Sequence, residues 1–363
     1  MKIVVAMDSF KGSLTSLEAG NAVKNGILMS CPSAKVTVIP LADGGEGTLD
    51  VIAPFINGSF KTLKVKGPLN GLVESGYIFD PDSKTAYIEM AKASGLTLIR
   101  PEERNPLTAT SYGTGELMKD AILAGAEKIV ICIGGSATND GGAGMLQALG
   151  ASLKDSDGNE ICPGASGLKD LASADLTNLL GKGLDITVAS DVTNPLCGPN
   201  GASCVYGPQK GATRDQVSVM DLWLVHYADV LGFDPFESGT GAAGGMSFAL
   251  KNVLGAKIRS GADIVTEITG ADALISECNI VITGEGRMDS QTVNGKAPYK
   301  IMKIGSKYGK TVIGITGILG DGYEECLNSG FDRIIPLKDP VMETSAAIKS
   351  VTETVRELFE EYR

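Results

Sequence analysis

At 363 residues, with 43% hydrophobic and 21% charged side chains, the chain has the makeup of a soluble globular protein of about two domains. Its formal net charge of −11 excludes nucleic acid as a partner, since a phosphate backbone calls for a basic face, and no apolar run approaches the roughly 18–20 residues needed to span a bilayer. Glycine is the outlier: the 47 glycines are roughly twice the average usage, and with no Gly-X-Y period or low-complexity tract they belong to turns and ligand loops.

The chain opens directly on a strand, Lys2–Ala6, with no leader pattern, so the cytoplasm is the expected compartment. Thr15-Ser-Leu-Glu18 fits a capping box and starts a helix running to about Met29. Strand Lys35–Ile39 and a helix over Gly47–Phe55 complete a βαβα unit, the signature of a parallel, doubly wound sheet. The middle differs. Lys61–Val65, Val73–Phe79 and Thr85–Glu89 alternate with turns and form a meander. A helix over Gly115–Leu123, strand Ile129–Ile133, a helix over Gly142–Leu149, strand Asp185–Ala189 and a helix over Gly245–Leu254 follow. The last third returns to alternation: strand Asn279–Ile282, helix Lys296–Tyr308, strand Thr311–Ile315, helix Gly322–Leu327, strand Arg333–Leu337 and helix Thr344–Tyr362. The expectation is an α/β protein: a flavodoxin-like doubly wound parallel sheet domain (1–60 and 258–363), interrupted by an inserted second mixed α/β domain (61–257). A single continuous sheet is the plainer alternative. There is no internal repeat of 20–50 residues.

Strand after strand runs into a loop of Gly, small hydroxyls and a carboxylate. The richest is Gly134-Gly-Ser-Ala-Thr-Asn-Asp140-Gly-Gly-Ala-Gly144. Others are Asp8–Ser13, Asp43–Thr48, Asp191–Asn194 and Thr283–Asp289. Side chains this small leave backbone N–H groups open to wrap a phosphate or hold a cation. In open α/β sheets ligands bind beyond the carboxyl ends of strands, so these loops are expected to gather in one crevice. Gly317–Asp321 is as well explained as a tight turn.

Established signatures narrow the chemistry. Walker A is absent, because Gly309-Lys310-Thr311 follows Ile304 where glycine is required. Gly239-Thr-Gly-Ala-Ala-Gly244 matches G-x-G-x-x-G but lacks the preceding strand of a dinucleotide fold. His226 is the single histidine and sits in an amphipathic helical stretch, which removes Ser-His-Asp hydrolysis and His-based zinc chemistry. Any general base is therefore a carboxylate or a lysine. The seven cysteines are scattered and form no C-x-x-C pair, the pattern of reduced, buried thiols. Asp8, Asp43, Glu46, Asp140, Asp191, Glu285 and Asp289 populate the loops. Any one alone could merely cap a helix or turn, but jointly they favour a Mg²⁺ site plus a base. Lys11, Arg287, Lys296 and Lys210 are the available cations.

At these residues the sequence resembles the bacterial glycerate kinase family, over essentially its whole length. The likeness rests on Asp8-Ser-Phe-Lys-Gly-Ser13, Pro40–Thr48, Gly134–Gly144, Asp191-Val-Thr-Asn-Pro-Leu-Cys-Gly198, Gly207-Pro-Gln-Lys-Gly-Ala212, Gly239–Gly245 and Thr283–Gln291. It implies Mg²⁺-dependent phosphorylation of D-glycerate by ATP, with 2-phosphoglycerate the favoured product. It does not assign catalytic residues. The inferred roles are Asp191 as base with Asp43 second, Lys11 and Lys296 on phosphate charge, Arg287 on the glycerate carboxylate, and Asp289 and Glu285 around Mg²⁺. Ser9, Gly44, Gly45, Gly135, Ser136, Thr138 and Asn139 complete the expected substrate and phosphate contacts. A kinase forming 3-phosphoglycerate, a kinase of another small hydroxy-acid, a nicotinamide-dependent oxidoreductase and a non-catalytic organic-acid binder are the rivals, and self-association into a homo-oligomer is left open.

Overall fold

The computed structural model describes residues 1–10, 12–339 and 343–361. In chain order its strands are β1 (Lys2–Met7), β2 (Lys35–Val38), β3 (Ser59–Lys66), β4 (Leu72–Asp80), β5 (Thr85–Glu89), β6 (Lys128–Cys132), β7 (Ser152–Lys154), β8 (Ser173–Asp175), β9 (Asp185–Ala189), β10 (Lys257–Arg259), β11 (Ile280–Met288), β12 (Thr311–Leu319) and β13 (Arg333–Pro336). The chain divides into two units, residues 1–43 with 262–363, and residues 44–261.

In the first unit, among the described residues, the order β13-β12-β11-β1-β2 is parallel throughout. Counted within the unit this is the flavodoxin-like order 2-1-3-4-5. Strand side chains alternate in direction. Ile3, Val5, Ile282, Ile313 and Ile315 pack with the helices Ser16–Ser30 and Thr344–Glu360. Val4, Ala6, Val281 and Val312 pack with the helices Ala271–Ser276 and Ala297–Lys307. Both faces are thus covered, as a doubly wound sheet requires. The capping box is present: Thr15 accepts from Glu18 N–H, and the Glu18 carboxylate accepts from Thr15 N–H at 2.8 Å.

The second unit carries a mixed sheet in the order β10-β9-β6-β5-β4-β3 and a small β7–β8 ribbon. β5, β6, β9 and β10 are parallel, and β3 and β4 add as an antiparallel hairpin. Separate sheets rule out the single continuous one. The boundaries differ from those expected near 60 and 258. Glu89, at the end of β5, accepts from the N–H groups of Gly47 (3.0 Å) and Leu49 (2.9 Å), tying the helix Thr48–Ile52 into this unit. At the other end, the three-residue strand β10 pairs with β9. Its Lys-Ile-Arg sequence offers no apolar run by which to notice it.

Two loops expected at the edge of the first sheet prove to be strand. β11 continues through Gly284, Glu285, Gly286 and Arg287, and β12 through Ile318, because the backbones pair Glu285 with Thr316 and Arg287 with Ile318. The cysteines are free, as expected, though Cys162 is exposed rather than buried. No helix among the described residues is long and apolar enough to cross a membrane.

Candidate active site

The topological switch point of the first sheet lies between β1 and β11, where ligands of open α/β folds bind. Here Asp8 N–H donates to the Gly284 carbonyl at 2.8 Å, and the Asp8 carboxylate accepts from Ser9 N–H at 2.7 Å. One residue beyond Gly284 begins a charged cluster. Glu285 and Arg287 stand two apart on β11, and Lys296 is the residue before the helix Ala297–Lys307. Lys296 Nζ lies 3.1 Å from Glu285 Oε2 and 3.9 Å from Asp289 Oδ1, while Arg287 Nε lies 3.3 Å from Asp289 Oδ2. Thr292 Oγ1 donates to Glu285 Oε1 at 2.8 Å. All four predicted residues of this stretch therefore meet. The carboxylates are sheltered, whereas the side chains of Arg287 and Lys296 are 59% and 37% exposed. Lys11 lies outside the described residues.

In the second unit the loop after β6 is folded inward. Asp140 is fully buried and its carboxylate accepts four hydrogen bonds: Ser111 N–H and Ser111 Oγ–H at 2.8 Å, Gly142 N–H at 3.2 Å and Gly144 N–H at 3.3 Å. Burial holds its pKa up, against the pull of those donors. Lys210 is 2% exposed, and its Nζ donates to the Thr138 carbonyl at 2.6 Å and to Ser136 Oγ at 3.0 Å. Burial draws the Lys210 pKa down to about 7, partly offset by the Asp140 charge. Asn139 donates to Ser203 Oγ at 2.8 Å. Asn139 Oδ1 and Thr138 Oγ1 are buried with no hydrogen-bond partner among the described residues.

Ser136, Thr138 and Asn139, expected among the substrate contacts, are all buried, while Gly134 and Gly135 remain accessible. Gly134 N–H donates to the Gly44 carbonyl at 3.2 Å. A Cβ at Gly134 would stand 2.5 Å from Gly45 Cα, so the close approach of these two loops calls for glycine. Gly44 in turn sits against the Ala189 carbonyl at the end of β9. Asp43 and Asp191 are exposed. Asp191 lines an open cavity of about 310 Å³ together with Arg259 and Lys251. The sequence reading missed Arg259 and Glu89, and it undervalued Lys210. Only the Gly-Pro-Gln-Lys-Gly turn around Lys210 carried a signal.

The Glycerate kinase family model matches residues 3–362. The chain belongs to the glycerate kinase family. It is 44% identical to the glycerate 2-kinase of Escherichia coli K12, over 98% of this chain and 95% of that one. It is 45% identical to the glycerate kinase of Bacillus subtilis 168, over 93% and 92%. A crystal structure described as glycerate kinase 2 from Salmonella typhimurium LT2 superposes with a TM-score of 0.86 at 44% identity, covering 100% of this chain and 97% of the other. That structure thus shares the α/β fold of this chain.

Among the described residues no group of three or more His, Cys, Asp or Glu side chains is set to hold a metal ion. Mg²⁺ needs only one or two carboxylates beside phosphate oxygens and water. Glu285 and Asp289, with the Thr292 hydroxyl on Glu285, are hard oxygen donors of that kind.

Proposed function

We propose that the protein phosphorylates D-glycerate with ATP at the 2-hydroxyl, giving 2-phosphoglycerate and ADP. The observation that carries this reading is the match to the glycerate kinase family along residues 3–362, joined to 44% identity with a relative named glycerate 2-kinase. Phosphoryl transfer rests on positioning and on neutralising charge at the transferred group. Asp191 takes the proton as the substrate oxygen bonds to the γ-phosphorus and the bond to ADP breaks; Asp43 is the second choice for that role. Lys296 and Arg287 lend positive charge to the phosphates with Lys11 a further cation for them, Ser9 contributes from the loop after β1, and the N–H groups around Gly44, Gly45 and Gly135 serve as neutral donors. Bound Mg²⁺ would supply further charge neutralisation, held by Glu285 and Asp289. The expected partners are these small molecules, with self-association left open, and the expected compartment is the cytoplasm.

The test is coupled detection of ADP with D-glycerate, ATP and Mg²⁺, followed by ³¹P NMR of the product. ADP release with a 2-phosphate signal is expected. A 3-phosphate signal overturns the regiochemistry, ADP release only with other hydroxy-acids overturns the substrate, and ligand binding without ADP release overturns the enzyme reading in favour of a binding protein.

A further inference from the structure

Gly239-Thr-Gly-Ala-Ala-Gly-Gly245 contains the spacing of a dinucleotide fingerprint, yet its glycines face other loops of the second unit. A Cβ at Gly241 would stand 2.0 Å from the Pro195 carbonyl oxygen, and one at Gly245 2.5 Å from Leu196 Cδ1. A Cβ at Gly244 would stand 2.0 Å from the Thr138 carbonyl oxygen. Two of these glycines thus admit the loop after β9, and the third admits the loop after β6. The hydrogen bonds divide in the same way. Gly239 N–H donates to the Thr193 carbonyl at 3.0 Å, Gly241 N–H donates to the Asn194 carbonyl at 2.9 Å, and the Gly244 carbonyl accepts from Gly141 N–H at 2.9 Å. Thr240 is fully buried, and its hydroxyl accepts from Leu196 N–H at 3.1 Å while donating to the Glu237 carbonyl at 2.6 Å. Ser238 Oγ adds a second donor to the Thr193 carbonyl at 2.9 Å. The backbone then passes through three consecutive left-handed residues, Ala243 (φ +55°), Gly244 (φ +67°) and Gly245 (φ +87°). Alanine adopts that conformation only where its surroundings over-determine it, and such strain collects at functional sites.

We propose that this turn is a positioning brace for catalysis: it locks the loop that carries Asp191 to the loop after β6, and Thr240 is its key residue. The assignment rests on the kinase reading with Asp191 as the base. The loop after β9 runs from exposed Asp191 to buried Leu196, so the brace grips its inner end while its outer end meets solvent. Phosphoryl transfer tolerates little error in placement, since a shift of about 1 Å can cost roughly 100-fold in rate. Without the Thr240 oxygen the Leu196 N–H would be stranded, and the loop would have to move to satisfy it. Being fully buried, Thr240 acts through the loop and not on the substrate.

The experiment compares wild type, Thr240→Val, Thr240→Ser, Ser238→Ala and Asp191→Asn, with Thr240→Val and Ser238→Ala also placed on the Asp191→Asn background. ADP release with D-glycerate, ATP and Mg²⁺ gives kcat and both KM values, and hydrogen exchange follows the Leu196, Gly239 and Gly241 amides. Thr240→Val keeps the shape and removes the hydroxyl. It is expected to lower kcat roughly tenfold with both KM values within about twofold of wild type, and Thr240→Ser should restore kcat. On Asp191→Asn the same substitution should change kcat by less than about twofold, because a displaced loop costs nothing once its base is gone. An equal drop on both backgrounds overturns the proposal, since a general loss of structure is additive. A rise in KM with kcat intact overturns it as well. Near-normal turnover in Asp191→Asn takes the base out of this loop and overturns the brace, while the kinase reading stands. If Thr240→Val does not fold, exposed Ser238→Ala decides. A kcat loss of about two- to threefold that vanishes on Asp191→Asn supports the brace, and an unchanged kcat overturns it. Wild type that never releases ADP sinks the kinase reading, and exchange then decides the tie itself: amides as protected in Thr240→Val as in wild type overturn it.

Discussion

Asp140 and Lys210 in the second unit are sealed from water and bound mostly to backbone, whereas Glu285, Asp289, Arg287 and Lys296 in the first unit pair with one another at a partly open strand end. The same residue types do different work in the two places. A buried carboxylate that accepts four donors fixes the path of a loop, since every donor would otherwise be stranded. A carboxylate paired with partly exposed cations adds little to the fold, because solvent screens the pair. The contrast teaches that a charged residue in a glycine-rich loop is read correctly only once its burial is known.

The comparison is broken most severely at its buried member. Asp140→Ala strands Ser111, Gly142 and Gly144 N–H groups and leaves Lys210 without its nearby anion. A loss of about 3–5 kcal/mol is expected from urea unfolding; a loss below about 1 kcal/mol would remove Asp140 from its architectural role. Asp191→Asn tests the open side. Turnover should fall by roughly two orders of magnitude or more, with the unfolding midpoint unmoved, because Asp191 is exposed. Near-normal turnover would disqualify Asp191 as the base and promote Asp43.

A smaller effect is expected at Gly244. Its φ is +67°, and a Cβ there would stand 2.0 Å from the Thr138 carbonyl, the group that Lys210 also holds. Gly244→Ala forces a left-handed backbone on a residue with a side chain, costing about 1–2 kcal/mol before any clash, and should show as a lowered melting temperature. Lys210→Met separates charge from packing through pH. The unfolded chain takes up the lysine proton below about 10.5, and the folded chain only below about 7. Between those values the unfolded state binds more protons, so wild type should gain stability relative to Lys210→Met as pH rises from 7 to 10. Denaturant melts at both ends of that window decide it. A difference that does not change with pH would show that the folded protein keeps Lys210 charged throughout.

Sequence reasoning served best where one rule acted alone. Ile3-Val-Val and Ile280-Val-Ile read as buried strands, and Thr15 with Glu18 announced a helix start, since each signal is local. It failed where partners were remote. Gly284–Arg287 reads as a loop because glycine and charge are poor strand formers, yet pairing with β12 extends the strand through it. Lys210 reads as a cation available to an anion; its burial is set by Ser136 and Thr138, far away in the chain. Arg259 drew no notice for the same reason, since Asp191 becomes its neighbour only when β10 pairs with β9.

The open cluster supplies the gentlest and most discriminating perturbation. Lys296→Gln removes a cation 3.1 Å from Glu285 at a side chain that is 37% exposed. Solvent and salt screen such a pair, so stability should change by less than about 1 kcal/mol. If Lys296 belongs to the phosphate machinery, the KM for ATP should nonetheless rise several-fold, and the wild-type advantage should shrink as ionic strength increases. A variant that melts earlier by several degrees with its ATP KM intact would mean that the Glu285–Lys296 contact braces β11 against the helix Ala297–Lys307. The two clusters would then differ in burial only, and not in what they do.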